Sequence, residues 1–144
     1  MPTAALPAQT LHAPTHWSAV KCFADLHLQA RERATLAAWQ RYLKSSPASA
    51  ILILGDLFES WVGDDALQEA GSFEAQCAAT LHAASQRRPI YFMVGNRDFL
   101  AGAAFLRASG MHGLADPTLL VWGPQRILLS HGDALCLDDT EYQQ

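Results

Sequence analysis

The sequence predicts an α/β fold in which parallel strands carry helices, and two observations support this. Short apolar runs rich in β-branched and aromatic residues recur along the chain, and helical patterns of apolar residues separate them. The first run is AVKCFA at 19–24, the second AILIL at 50–54 and the third IYFMV at 90–94. Each is bounded by loop-forming residues, as buried strands are. Between the first two, Leu36, Trp39 and Leu43 share one helical face, and between the next two Phe73, Cys77 and Leu81 do the same. Alternation of this kind implies parallel strands joined by right-handed crossovers. A short helix follows at roughly Ala101 to Ser109. LLVWG and RILLS then form an antiparallel hairpin, turning at Gly123 and Pro124. The final DDTEYQQ starts like a helix capped by Asp138 or Asp139. Residues 1–17 contain Pro2, Pro7 and Pro14 with no Lys or Arg, and are expected to be a flexible extension that is not a secretory signal. His12 and His16 have helical ligand spacing, but Pro14 lies between them.

At 144 residues the chain suits one domain, with residues 18–144 as its body. Half of the residues are apolar, and the net charge of -4 argues against a broad basic face for nucleic acid. An anionic substrate must then be attracted locally, as by a bound cation. Cys22, Cys77 and Cys136 are odd in number and widely separated. Cys22 and Cys77 lie in apolar stretches, which reads as buried or partly buried thiols in a reducing compartment. No run approaches the ~20 apolar residues of a spanning helix.

The chemistry lies where the strands end. FADLH closes on Asp25 and His27, LILGD on Asp56, MVGNRD on Asn96, Arg97 and Asp98, and LLSHGD on His131 and Asp133. Taken singly, each is ordinary turn or cap chemistry. In an open parallel sheet, however, the carboxyl ends of the strands face a common crevice, so the four endings are expected to converge. Asp25, His27, Asp56, Asn96 and His131 are hard oxygen and borderline nitrogen donors with no thiolate, a mixture suited to manganese, iron or zinc. A carboxylate such as Asp56 can bridge two ions, and a pair ~3.5 to 4 Å apart is the clamp used for displacement at phosphorus.

DLH, GD, GN and HGD in this order resemble the calcineurin-like metallophosphoesterases, from Val20 to Tyr142. The resemblance implies that family's β-sandwich flanked by helices, with the chain ending after the first half. It also implies a hydrolase using two divalent ions. Asp25 and His27 would hold the first, Asp56 would bridge, and Asn96 and His131 would hold the second, with Asp98 and Asp133 orienting these ligands. FADLHL, ILGDLFESWVGDD, YFMVGNRDFL and SHGDALCLDDTEY are similar to the branch that cleaves the pyrophosphate of UDP-2,3-diacylglucosamine in lipid A synthesis. That branch implies manganese, a UDP-linked glycolipid substrate and a cytoplasmic protein peripheral on the inner membrane.

Arg97 stands where family members that cleave phosphomonoesters carry His. A leaving phosphate with a pKa near ~6 needs positive charge more than a proton, so Arg97 and Asn96 are candidate catalytic and substrate-binding residues. Asp139 and Tyr142 match head-group positions, though a helix cap and a surface aromatic describe them equally well. Glu59, Trp61, Asp64 and Asp65 mark the family without an assigned contact. Further histidines, a Gly-His-x-His among them, complete both metal shells in the family, and the sequence ends before them. This implies weak metal binding and partly exposed apolar residues, Trp122 among them, on the 119–130 hairpin. The alternatives are another nucleotide-type substrate or a non-catalytic fragment.

Overall fold

The computed structural model describes residues 7–132, so the expected carboxyl-terminal helix lies outside the described residues. The described strands form two sheets. β2 (Val20–Phe23), β3 (Ala50–Leu54), β4 (Ile90–Met93) and the two-residue β5 (His112–Gly113) pair in that order, all parallel. The second sheet has the order β1 (Gln9–His12), β6 (Thr118–Trp122), β7 (Gln125–Leu129), with β1 parallel to β6 and the β6–β7 hairpin antiparallel. Helices α1 (Arg33–Ser45), α2 (Phe73–Ser85) and α3 (Ala103–Ser109) supply the crossovers. The hydroxyl of Ser72 caps α2 by accepting from the Ala75 N–H at 3.0 Å.

The side chains of β3 fix the layering. A strand projects alternate residues to opposite faces. Ile51 and Ile53 enter a cluster with Trp39 and Leu43 of α1, Cys77 and Leu81 of α2, and Phe105 of α3. Ala50 and Leu52 enter a second cluster with Met93, Leu120, Leu129 and Trp17. One face of the parallel sheet is thus covered by helices and the other by the second sheet. Both faces are dry, which is why β3 is apolar at every position. This is an α/β sandwich flanked by helices, as the sequence predicts.

Two local expectations need correction. Within residues 1–17, expected to be a flexible extension, Gln9–His12 form β1 in register with Thr118–Val121. Leu11 packs against the inter-sheet core, and the Gln9 amide oxygen accepts from the Ala115 N–H at 2.9 Å. A strand of four residues between two prolines carries too little pattern to be read from sequence. Cys22 is exposed, because β2 is an edge of its sheet, whereas Cys77 is buried and burial pushes its thiol up to about 12. On the hairpin, Ile127 and Leu128 are exposed and Trp122 is half-buried, in line with the partial exposure expected there, and the Trp122 indole N–H donates to the Trp17 carbonyl at 3.1 Å.

Asp64 joins the loop after β3 to the start of α3. Its carboxylate accepts from the Trp61 indole at 2.9 Å and from the N–H groups of Gly102 and Phe105, each at 3.1 Å. Partial burial pushes its pKa up, but these donors outweigh it and the net shift is downward. A depressed carboxyl pKa stabilises the fold above the ordinary Asp range, and that stability is lost as pH falls through the folded value. Replacing Asp64 with Ala is expected to cost roughly 1–2 kcal/mol at pH 7 in urea unfolding, with the gap to wild type narrowing in acid. A gap that widened as pH fell would contradict this role.

Candidate metal centre

The strands place their carboxyl-terminal loops side by side, and hydrogen bonds hold them together beyond the sheet. The chain after β2 runs beside the chain after β3. Asp25 N–H donates to the Gly55 carbonyl at 3.0 Å, His27 N–H to Asp56 at 3.1 Å and Leu28 N–H to Leu57 at 2.8 Å. Glu59 N–H returns a bond to Leu28 at 2.9 Å. Asp98, in the loop after β4, has no exposed surface. Its carboxylate accepts from Gly95 N–H at 2.7 Å, Leu57 N–H at 2.8 Å and Asp56 N–H at 3.2 Å. Asp98, which the family resemblance assigns to orienting ligands, bonds the backbone on both sides of Asp56.

This loop packing leaves room only for glycine at two points. A Cβ on Gly95 would collide with the Asp56 carboxylate and backbone nitrogen, and one on Gly55 with the His131 ring. Gly55 also has φ +96°, which side chains rarely adopt. Among the described residues, those other than glycine with positive φ are Asp25 (58°), His27 (51°) and Asp56 (52°). Each such residue costs of order 1–3 kcal/mol and persists where its surroundings over-determine it, typically at a functional site.

Ligand atoms of Asp25, Asp56 and His131 lie within 4.8 Å of one another. The His131 Nε2 is 3.3 Å from Asp56 Oδ2, and its Nδ1 is 2.9 Å from the Leu54 carbonyl. A carbonyl only accepts, so Nδ1 carries the proton and Nε2 offers its lone pair toward the carboxylates. Arg97 N–H donates to Asp56 Oδ1 at 2.7 Å. Asp25 has its pKa raised by burial first and by the Asp56 carboxylate, against an opposing pull from His131. Two carboxylates and an imidazole lone pair at this separation fit a divalent cation of the manganese, iron or zinc type, and crowding of negative charge is what such an ion relieves.

The structure brings the other sequence-predicted residues to the same edge without placing them in that group. His27 Nε2 lies 3.8 Å from Asp25 Oδ1, while its Nδ1 faces Glu59 Oε2 at 3.3 Å. Asn96 is exposed at the tip of the 95–98 loop, beside Asp56 in space through its neighbours Gly95 and Arg97. The Arg97 guanidinium is paired with Glu59 Oε1 at 2.8 Å and is half exposed. Asp133, Asp139 and Tyr142 lie outside the described residues. Sequence reasoning gave Glu59 no contact. The available signal was its place three residues after Asp56, on a segment zipped to the one that holds His27.

Replacing Asp98 with Ala leaves the buried N–H groups of Asp56, Leu57 and Gly95 without their acceptor. A loss of roughly 3 kcal/mol or more is expected in urea unfolding, together with loss of divalent-ion binding by calorimetry. A folded variant that bound manganese as wild type does would contradict the clamp.

Comparison with known proteins identifies the family. The family model described as calcineurin-like phosphoesterase matches residues 19–143. Curated UDP-2,3-diacylglucosamine hydrolases are similar in sequence. That of Chromobacterium violaceum is 49% identical over 133 residues, covering 88% of this chain and 53% of the relative. That of Serratia proteamaculans is 47% identical over 124 residues, covering 84% and 50%. The chain therefore spans about half the length of these curated relatives. Among solved structures, the Pseudomonas putida nuclease MPE aligns with a TM-score of 0.48 at 19% identity, covering 73% of this chain and 50% of that one. Matched by that family model over residues 19–143, the chain belongs to the calcineurin-like phosphoesterases.

Proposed function

We propose that the chain supplies the metal-binding half of an enzyme that hydrolyses the pyrophosphate bond of UDP-2,3-diacylglucosamine, giving UMP and 2,3-diacylglucosamine 1-phosphate for lipid A biosynthesis. The observation that carries the chemistry is the convergence of Asp25, Asp56 and His131. The substrate follows from the hydrolases that are 47–49% identical. Asp25 and His27 would hold one divalent ion, Asn96 and His131 a second, with Asp56 shared. When bound, such a pair, manganese in this reading, lowers the pKa of water and places positive charge on phosphoryl oxygens.

The residues of the chain set the geometry. Asp56 is 7% exposed and is fixed by the Arg97 N–H on one oxygen and faced by His131 on the other, so it has little freedom to turn away from either ion position. Arg97 stands beside it with its guanidinium half exposed, suited to follow the charge that develops on the leaving phosphate. Its ion pair with Glu59 lies at the surface and leaves part of the guanidinium open to a substrate phosphate. Asn96 would contact the same phosphate as well as an ion. Asp133 would orient ligands, and Asp139 and Tyr142 would meet the head group. No helix among the described residues is long and apolar enough to cross a membrane. In this reading the enzyme meets its amphiphilic substrate at the cytoplasmic face of the inner membrane.

The test is manganese-dependent release of UMP from the UDP-lipid, by a protein of the relatives' full length carrying this chain. Asp56→Ala is expected to abolish release and lower bound metal, whereas Arg97→Ala should slow turnover by ~100-fold with metal content unchanged. Equal turnover of UDP-sugars lacking acyl chains would refute the lipid assignment. An unchanged rate in Arg97→Ala would remove that residue from the reaction.

A further inference from the structure

The two histidines of the centre are oriented by different means. His131 presents Nδ1 to a main-chain carbonyl, which fixes its proton there and bares Nε2 toward Asp56. His27 has the same orientation, with Nε2 toward Asp25 and Nδ1 toward an acceptor, but the acceptor is the Glu59 side chain. Neutral imidazole in water favours the tautomer protonated on Nε2, which would block coordination through that nitrogen. A carboxylate at Nδ1 reverses the preference. The other Glu59 oxygen holds the Arg97 guanidinium at 2.8 Å. Glu59 is itself placed by the bond from its N–H to the Leu28 carbonyl and by the bridge between Leu28 and Phe58.

We propose that Glu59 is a positioning residue of the metal centre, its two carboxylate oxygens holding His27 in the tautomer that bares Nε2 and Arg97 alongside it. The role rests on the metal-binding reading of Asp25, His27 and Asp56, and requires neither the lipid substrate nor turnover. Because one carboxylate serves both side chains, losing it releases a ligand orientation and a guanidinium position together. Removing a carboxylate that orients a ligating histidine typically weakens metal affinity by ~10 to 100-fold. Glu59→Gln retains one carbonyl oxygen that can accept from Nδ1, but it lacks the charge and the second acceptor.

The experiment compares wild type, Glu59→Ala and Glu59→Gln, each checked for folding by circular dichroism, with manganese as the probe. Manganese affinity is read by electron paramagnetic resonance. The His27 tautomer is read from long-range ¹H–¹⁵N spectra of the metal-free chain at pH 8. Affinity should fall ~10 to 100-fold in Glu59→Ala, with the proton moving from Nδ1 to Nε2, and by a smaller factor in Glu59→Gln. Wild-type affinity and an unchanged tautomer in both variants would overturn the proposal while leaving the metal centre intact. Absence of manganese binding by wild type itself would overturn the metal centre, and the proposal with it. If Glu59→Ala fails to fold, the near-isosteric Glu59→Gln decides by the same two readouts.

Discussion

Asp98 has no contact with water, yet its carboxylate accepts N–H groups from the turn after β3 and from the turn after β4. Two neighbouring parallel strands would otherwise let their loops diverge beyond the last ladder bond. Here a single charged group satisfies the donors of both loops and holds them at one separation. Breaking such a buried charge-assisted set leaves several donors unsatisfied at once, so the separation is stiff. That separation brings the Asp56 side chain against Gly95, and it admits no Cβ at that glycine.

From this constraint the rest of the centre follows. Asp56 is pinned by Arg97 N–H, and on its other side the chain after β3 is zipped to the chain after β2, which delivers Asp25 and His27. His131 comes from the second sheet, reaching the group only because the two sheets pack face to face through Leu52, Met93, Leu120 and Leu129. Left-handed backbone at Asp25, His27 and Asp56 is the local cost of aiming their side chains into one small volume. The core and the sheet register bear that cost, and so the site depends on packing well away from it.

Much of this was legible in the sequence, because its causes are local. A strand buried on both faces must be apolar throughout, as AILIL is, and four apolar runs that each end in potential ligands ask for more than turn chemistry. The spacing of Leu36, Trp39 and Leu43 likewise reports a helix face that the structure buries. What stayed hidden depends on contacts between distant segments. β1 exists because β6 offers it an edge, and nothing in QTLH announces a partner more than a hundred residues away. Glu59 and Asp64 looked like markers without a task. Their tasks are to face His27 and Arg97 in one case, and to tie Trp61 to the start of α3 in the other. The exposed Cys22 follows from β2 being an edge strand, a property of strand order rather than of composition.

The function proposed for the chain depends on Asp25, Asp56 and His131 holding a divalent ion. Anomalous diffraction from crystals grown with manganese tests it most directly, since the scattering locates the ion without reference to any substrate. A peak is expected within bonding distance of Asp56, in contact with Asp25 or His131 as well. Manganese found only at other positions, with these three side chains bonded to one another and to water alone, would contradict it.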